Sequence, residues 1–221
     1  MNIQSEKKII SDREFKLKSG LSRYLPEEVL EFIAKRFAAM PVYLKITKNR
    51  KTKLGDYRAA HLGKPHTITI NHDLNKYSFL ITLVHEMAHY ECWQLHKNKV
   101  KPHGLEWKNE FKKIMGQVLV MDFLPEDIAG VLVNYMDNPL ASSCTDVNLM
   151  RALKKHDQSN TATYLEDIPE NTYFMINNKH VFQKGEKRRK LYKCKEMHTK
   201  KTYLVNPLCE VKIVDFASIG Q

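Results

Sequence analysis

Residues 78–96, SFLITLVHEMAHYECWQLH, constrain the fold of this chain more than any other stretch. Phe79, Leu80, Leu83, Val84, Met87 and Ala88 recur at helical spacing, so the segment predicts a helix with its apolar side turned inward. That helix also carries His85, Glu86 and His89 within about one turn. Positions four apart lie one above the other on a helix, so the imidazoles of His85 and His89 share one space, as two ligands of a metal ion must. Glu86 stands beside them and can address a metal-bound water without ligating the metal. This H-E-x-x-H pattern points to a zinc ion with a carboxylate base, set in a patterned helix that follows a β segment rather than in a loop.

A catalytic zinc takes three protein ligands and a water. The H-E-x-x-H-x-x-G-x-x-H solution fails here, because Cys92 stands at the glycine position and Leu95 at the position of the last histidine. His96 lies two turns beyond His89, too far for a shared tetrahedral site, and reads as a helix-end histidine near the C-terminal dipole. Two candidates remain. Glu110 would come from a following helix; His103, in PHGLEW, would come from a turn in which Gly104 gives backbone freedom. His103 is preferred, and Glu110 stays open as the alternative.

Around this helix the pattern is mixed α+β. LPEEVLEFIAKRFAAM (25–40) reads as an amphipathic helix opened by Pro26 and two glutamates, with Val29, Leu30, Ile33, Phe37 and Ala38 inward. VYLKIT (42–47) reads as a strand followed by a polar turn, KNRKTKLG, that ends at Gly55, and HTITIN (66–71) reads as another strand. Two further helices are expected in LEWKNEFKKIMGQVLV and PEDIAGVLVNYM. A first domain over residues 1–137 is then followed by a connector at 138–170, with a short helix in VNLMRALKKH, and by a small β module at 171–221.

YSFLITLVHEMAHYECW followed by HGLEWKNEF, with GDYR and ITINHDLN upstream, resembles the SprT-like metallopeptidase family over roughly residues 20–125. The resemblance implies a zincin-like helical protease domain packed on a small sheet, and zinc held by His85, His89 and His103 with Glu86 as general base. It also implies a polypeptide substrate, since Spartan-type members of the family cleave proteins covalently trapped on DNA. An oxyanion stabiliser is needed as well; Tyr90 and His96 lie near in sequence, and no spacing argument selects either.

The tail departs from the family pattern. Many SprT-like proteins end in a zinc ribbon with two Cys-x-x-Cys knuckles, whereas YKCKEMHTKKTYLV has Met197 where the second cysteine of a knuckle would fall. TYFMINNKH holds no cysteine at all. The module is therefore expected to resemble a degenerate ribbon without a second, structural zinc, held by Phe174, Ile176, Phe182, Tyr192, Tyr203 and Val205. It also concentrates charge: from Lys179 to Lys201 there are ten Lys or Arg against two Glu, in a chain of formal net charge +11. A second basic run spans Lys45 to Arg58. Such a balance favours polyanionic partners, DNA above all. Lys187, Arg188, Arg189 and Lys190 are the candidate phosphate contacts, with Tyr192 either a base-stacking platform or core; the bland alternative is a solvated turn.

No stretch approaches the run of about 18 apolar residues of a membrane span, and the N-terminus lacks a signal-peptide core. Four cysteines without a Cys-x-x-Cys pair suit a reduced, cytoplasmic setting. The reading is a zinc-dependent endopeptidase acting on protein, with DNA as partner and the oligomeric state undetermined by sequence. Its rival is a non-enzymatic nucleic-acid-binding or transcription-associated protein that keeps a zinc site; Glu86 speaks against that, because a structural site needs no base.

Overall fold

The structure is a computed structural model that describes residues 3–50, 53–140, 146–157 and 162–215. The chain divides into two compact units, Met1–Asp157 and Gln158–Gln221. Each is mainly explained by its own apolar cluster.

In the first unit, α1 (Ile3–Leu21) and α2 (Glu27–Ala38) precede a three-stranded sheet of β1 (Val42–Thr47), β2 (Gly55–Arg58) and β3 (His66–Asn71). Glu27 and Glu28 in the first turn of α2 and Lys35 and Arg36 in its last match the helix dipole. The five residues expected inward on α2 are all buried. The strand order is β1-β3-β2. β3 runs parallel to β1, pairing Val42 with His66, and antiparallel to β2, pairing Gly55 with Ile70. β2 is thus an edge strand.

The motif helix is α3 (Lys76–His96). It starts two residues before the expected Ser78, because the Asn75 side chain caps it by accepting from the N–H groups of Tyr77 (3.1 Å) and Ser78 (2.9 Å). Every residue from Phe79 to Ala88 is buried. A helix buried all round needs cover on every side, and here β2 and β3 pack on it along with α4 (Leu105–Val120). Then come α5 (Glu126–Asp137) and α6 (Val147–Lys154). Leu149 and Leu153 of α6 join the core cluster of this unit, and the Asn75 amide donates to the Leu153 carbonyl at 2.9 Å.

The second unit is an antiparallel five-stranded sheet in the order β7-β6-β5-β4-β8. Its strands are β4 (Tyr173–Ile176), β5 (His180–Arg188), β6 (Leu191–Glu196), β7 (Thr202–Val205) and β8 (Lys212–Ile213). The segment expected as a connector contributes to both units: α6 belongs to the first, while Leu165 and Ile168 are buried in the core of the second. The parts of it at 141–145 and 158–161 lie outside the described residues, as do 51–52 of the polar turn and 216–221 of the module.

Of the six side chains expected to hold the module, Phe174 and Phe182 are buried, and Ile176, Tyr192 and Val205 pack partly buried against them. Tyr203 departs from expectation. It sits on the edge strand β7, 45% exposed, and meets the Phe182 ring edge-on at 5.8 Å. Two buried charges take part as well. The Lys184 ammonium donates to the carbonyls of Ile168 and Glu166 and lies 4.1 Å from the centre of the Tyr192 ring. The Glu196 carboxylate accepts from the backbone N–H groups of His198 and Thr199 and from the Thr199 hydroxyl, which holds it down at about 2 and closes the MHTK turn.

Candidate metal centre

His85 and His89 lie one turn apart on α3, and His103 approaches from the loop between α3 and α4. The three Nε2 atoms converge: His85 to His103 is 3.2 Å, His85 to His89 3.2 Å, and His89 to His103 2.8 Å. Ligands about 2.1 Å from a tetrahedral ion stand about 3.4 Å from one another. Three neutral imidazoles pointing their polar nitrogens at one spot cannot satisfy each other by hydrogen bonding, since each ring has one donor and one acceptor. A shared divalent cation resolves that conflict, so the donor set fits a metal. Among the described residues this is the group of histidine, cysteine and carboxylate side chains that could hold an ion.

The loop attains this by strain at an unexpected residue. His103 itself has φ +58, while Gly104, credited above with the backbone freedom, has φ −69. Gly104 is needed for closeness instead: a Cβ there would lie 3.0 Å from both the Lys101 carbonyl oxygen and a Glu106 carboxylate oxygen. Its N–H closes the turn onto Lys101 at 2.9 Å, and its carbonyl starts α4 by accepting from Lys108.

Trp107, wholly buried, forms the floor. Its ring centre lies 4.6 Å from that of His85, 5.3 Å from His89 and 4.8 Å from His103, and its indole N–H donates to the His85 carbonyl at 3.4 Å. Burial, and then the neighbouring imidazoles, push His85 down to about 2 and His89 to about 3; burial also lowers His103. All three rings are therefore neutral at pH 7, the form that ligates a metal.

Glu86 is buried beside the cluster but its carboxylate is not among the converging atoms. Burial, and then the charge of Asp56, push it up to about 8, while a hydrogen bond from the Tyr57 backbone N–H and the charges of Arg50 and Lys53 oppose that rise. A divalent cation nearby would oppose it further. The three histidines and Glu86 open onto one cleft of about 630 Å³, walled by Gly55, Asp56 and Tyr57 of β2, by Trp93, and by the loop from Lys97 to His103. Tyr57 lies flat against His89, with ring centres 6.3 Å apart and planes 4° from parallel, and its hydroxyl bonds His66 Nδ1 at 2.8 Å. Tyr90 and His96 are not part of the cleft wall.

Glu110 lies outside the group, its carboxylate 3.5 Å from the Lys113 ammonium. Lys187 and Arg188 form the exposed end of β5 in the second unit, and Arg189 and Lys190 the exposed turn into β6, with Arg189 in the left-handed region (φ +56). Tyr192 is half-buried beneath the Lys184 and Lys187 ammonium groups, 4.1 and 5.7 Å from its ring centre. Among the described residues, no helix is long and apolar enough to cross a membrane.

An H-E-x-x-H helix and a third histidine from the next loop, beside an edge strand, form a site that could hold a metal ion. Residues 25–127 match the model of the SprT-like family, the family that the motifs of the chain resemble. No curated protein and no solved structure matches the chain.

Proposed function

We propose that the chain is a zinc-dependent endopeptidase of the SprT-like type, zincin-like in its catalytic unit, acting on proteins associated with DNA. His85, His89 and His103 hold one zinc. Bound there, zinc supplies a Lewis acid for a peptide carbonyl and lowers the pKa of a water toward about 7. Glu86 takes the proton of the attacking water and returns it to the leaving nitrogen as the C–N bond breaks. Trp107 beneath the rings and β2 beside Glu86 exclude bulk water from these groups. The observation that carries the reading is the convergence of three Nε2 atoms within 3.2 Å, with a buried carboxylate on the next residue of the same helix.

The DNA partner is supported by charge. The segment Lys187–Lys190 is exposed, and the window from Lys179 to Lys201 sets ten Lys or Arg against two Glu; such a patch binds phosphates with a steep salt dependence. The module keeps the β framework of a ribbon, with Lys184 and Glu196 supplying the local ties that metal knuckles give elsewhere.

The test compares the wild type with Glu86→Gln, measuring bound zinc and cleavage of a DNA-bound protein with and without DNA. The variant retains about one zinc and loses cleavage. Equal cleavage by both proteins removes Glu86 from the mechanism, and cleavage indifferent to DNA and to salt removes the DNA partner.

A further inference from the structure

β2 is four residues long and lies directly on the Glu86 carboxylate. A Cβ at Gly55 would stand 2.6 Å from Glu86 Oε1, 2.7 Å from Thr82 Cγ2 and 2.9 Å from Glu86 Cγ. Thr82 and Glu86 are both buried and one turn apart on α3, so neither can swing into solvent to make room. Two residues on, the Tyr57 N–H faces the same carboxylate and opposes the rise of its pKa. Strand and base therefore share one surface with no slack.

An edge strand this short needs an anchor, and a side-chain clamp supplies it. The Arg50 guanidinium donates to Asn71 Oδ1 (2.8 Å), Thr69 Oγ1 (2.9 Å) and the Thr69 carbonyl (3.4 Å), and reaches the Leu54 carbonyl (3.5 Å). Asn71, 1% exposed, returns its amide to the carbonyls of Arg50 (3.2 Å) and Lys53 (3.1 Å), and its backbone N–H to Leu54 (2.9 Å). The segment leading into β2 is thus tied from both directions to the end of β3. A planar guanidinium can make such a set of bonds; an ammonium cannot.

We infer that Gly55 and Arg50 are positioning residues for Glu86: the clamped backbone of β2 fixes where the carboxylate stands relative to the three imidazoles. This rests on the reading of Glu86 as the general base. A purely structural role for β2 would let substitutions there act through stability alone.

The test uses the full chain loaded with zinc, and unfolded casein as substrate. Gly55→Ala is made in the wild type and in a Glu86→Asp background, where the shorter side chain leaves room for the added methyl. In the wild type, a shift of the base approaching 1 Å lowers kcat about 100-fold, with KM within about twofold and zinc stoichiometry unchanged. In the Glu86→Asp background the same substitution changes kcat by less than about threefold. Equal losses in both backgrounds overturn the inference, as does loss of zinc from Gly55→Ala. Should Gly55→Ala not fold, Arg50→Ala takes its place: lower kcat with KM and zinc unchanged supports the inference, and unchanged kcat overturns it. A crystal structure of metal-free Gly55→Ala or Arg50→Ala decides the point independently of activity. A carboxylate displaced from the Tyr57 N–H supports the inference and an unmoved one overturns it, even if an inactive wild type has already overturned the peptidase reading.

Discussion

Trp107→Phe isolates what the floor of the cleft contributes to metal binding. The indole touches all three imidazoles, at ring-centre distances of 4.6, 5.3 and 4.8 Å, and is backed by the parallel ring of Phe111 at 5.4 Å. Phenylalanine keeps one ring but removes the N–H that reaches the His85 carbonyl. The lost hydrogen bond costs about 1 kcal/mol. The void left beneath the histidines costs about 1 kcal/mol more. Because that void opens under the ligands, the rings gain freedom, and outer-shell changes of this kind weaken metal binding about 10- to 100-fold. Competition with a chromophoric chelator measures the zinc affinity, and urea denaturation of the metal-free chain measures the stability. Phe111→Leu serves as control: it is equally buried, but its ring lies 6.3 Å from that of His85, so it lowers stability and leaves zinc affinity nearly unchanged. A Trp107→Phe protein that loses stability yet binds zinc within twofold of wild type refutes the reasoning, and makes the indole ordinary core.

The metal-free chain has its own pH signature. Its histidines sit below their unfolded value of about 6.5, so the unfolded chain binds more protons on acidification and stability falls as pH drops from about 7 toward 3. Glu86, raised to about 8, binds a proton in the folded chain that the unfolded chain has released, so stability also falls as pH rises through that value. Melting temperature in the presence of chelator therefore peaks near neutrality; a continued rise from pH 7 to 8.5 contradicts this. His103→Ala abolishes tight zinc binding and Glu110→Ala spares it, as metal analysis after dialysis will show; the opposite pattern makes Glu110 the third ligand. Lys184→Met removes two carbonyl contacts inside the second unit and destabilises it by about 1–3 kcal/mol after relief of the buried charge. Cys194, fully buried and with its thiol pushed up to about 11, then becomes reactive toward a thiol reagent; unchanged protection refutes the role of Lys184.

The parts of the centre that were legible in the sequence are those fixed by local spacing. His85, Glu86 and His89 follow from one helical turn, and His103 from its place on a turn just before the next helix. Asn75 could have marked the start of α3, being an N-cap residue two positions before Tyr77. What was missed acts across long separations without any period. Gly55 meets Glu86 from 31 positions upstream, Trp107 underlies His85 from the next helix, and Arg50 joins Asn71 across a segment that reads simply as a basic turn. A lone glycine opening GDYR was the available signal for close backbone approach. In the second unit, Leu165 and Ile168 lie in a polar-looking stretch that gives no strand pattern, so their burial depends on a tertiary fit that composition does not encode. Tyr203, expected among the side chains that hold the module, shows the converse: its place on the edge strand leaves it half in solvent.

The direct test of the account is the zinc-loaded chain itself, analysed for metal content and by crystallography. One zinc per chain, about 2.0–2.1 Å from the Nε2 atoms of His85, His89 and His103 with its fourth position open toward Glu86, is the result predicted here. A chain that binds no zinc in excess metal, or binds it without His103, contradicts it.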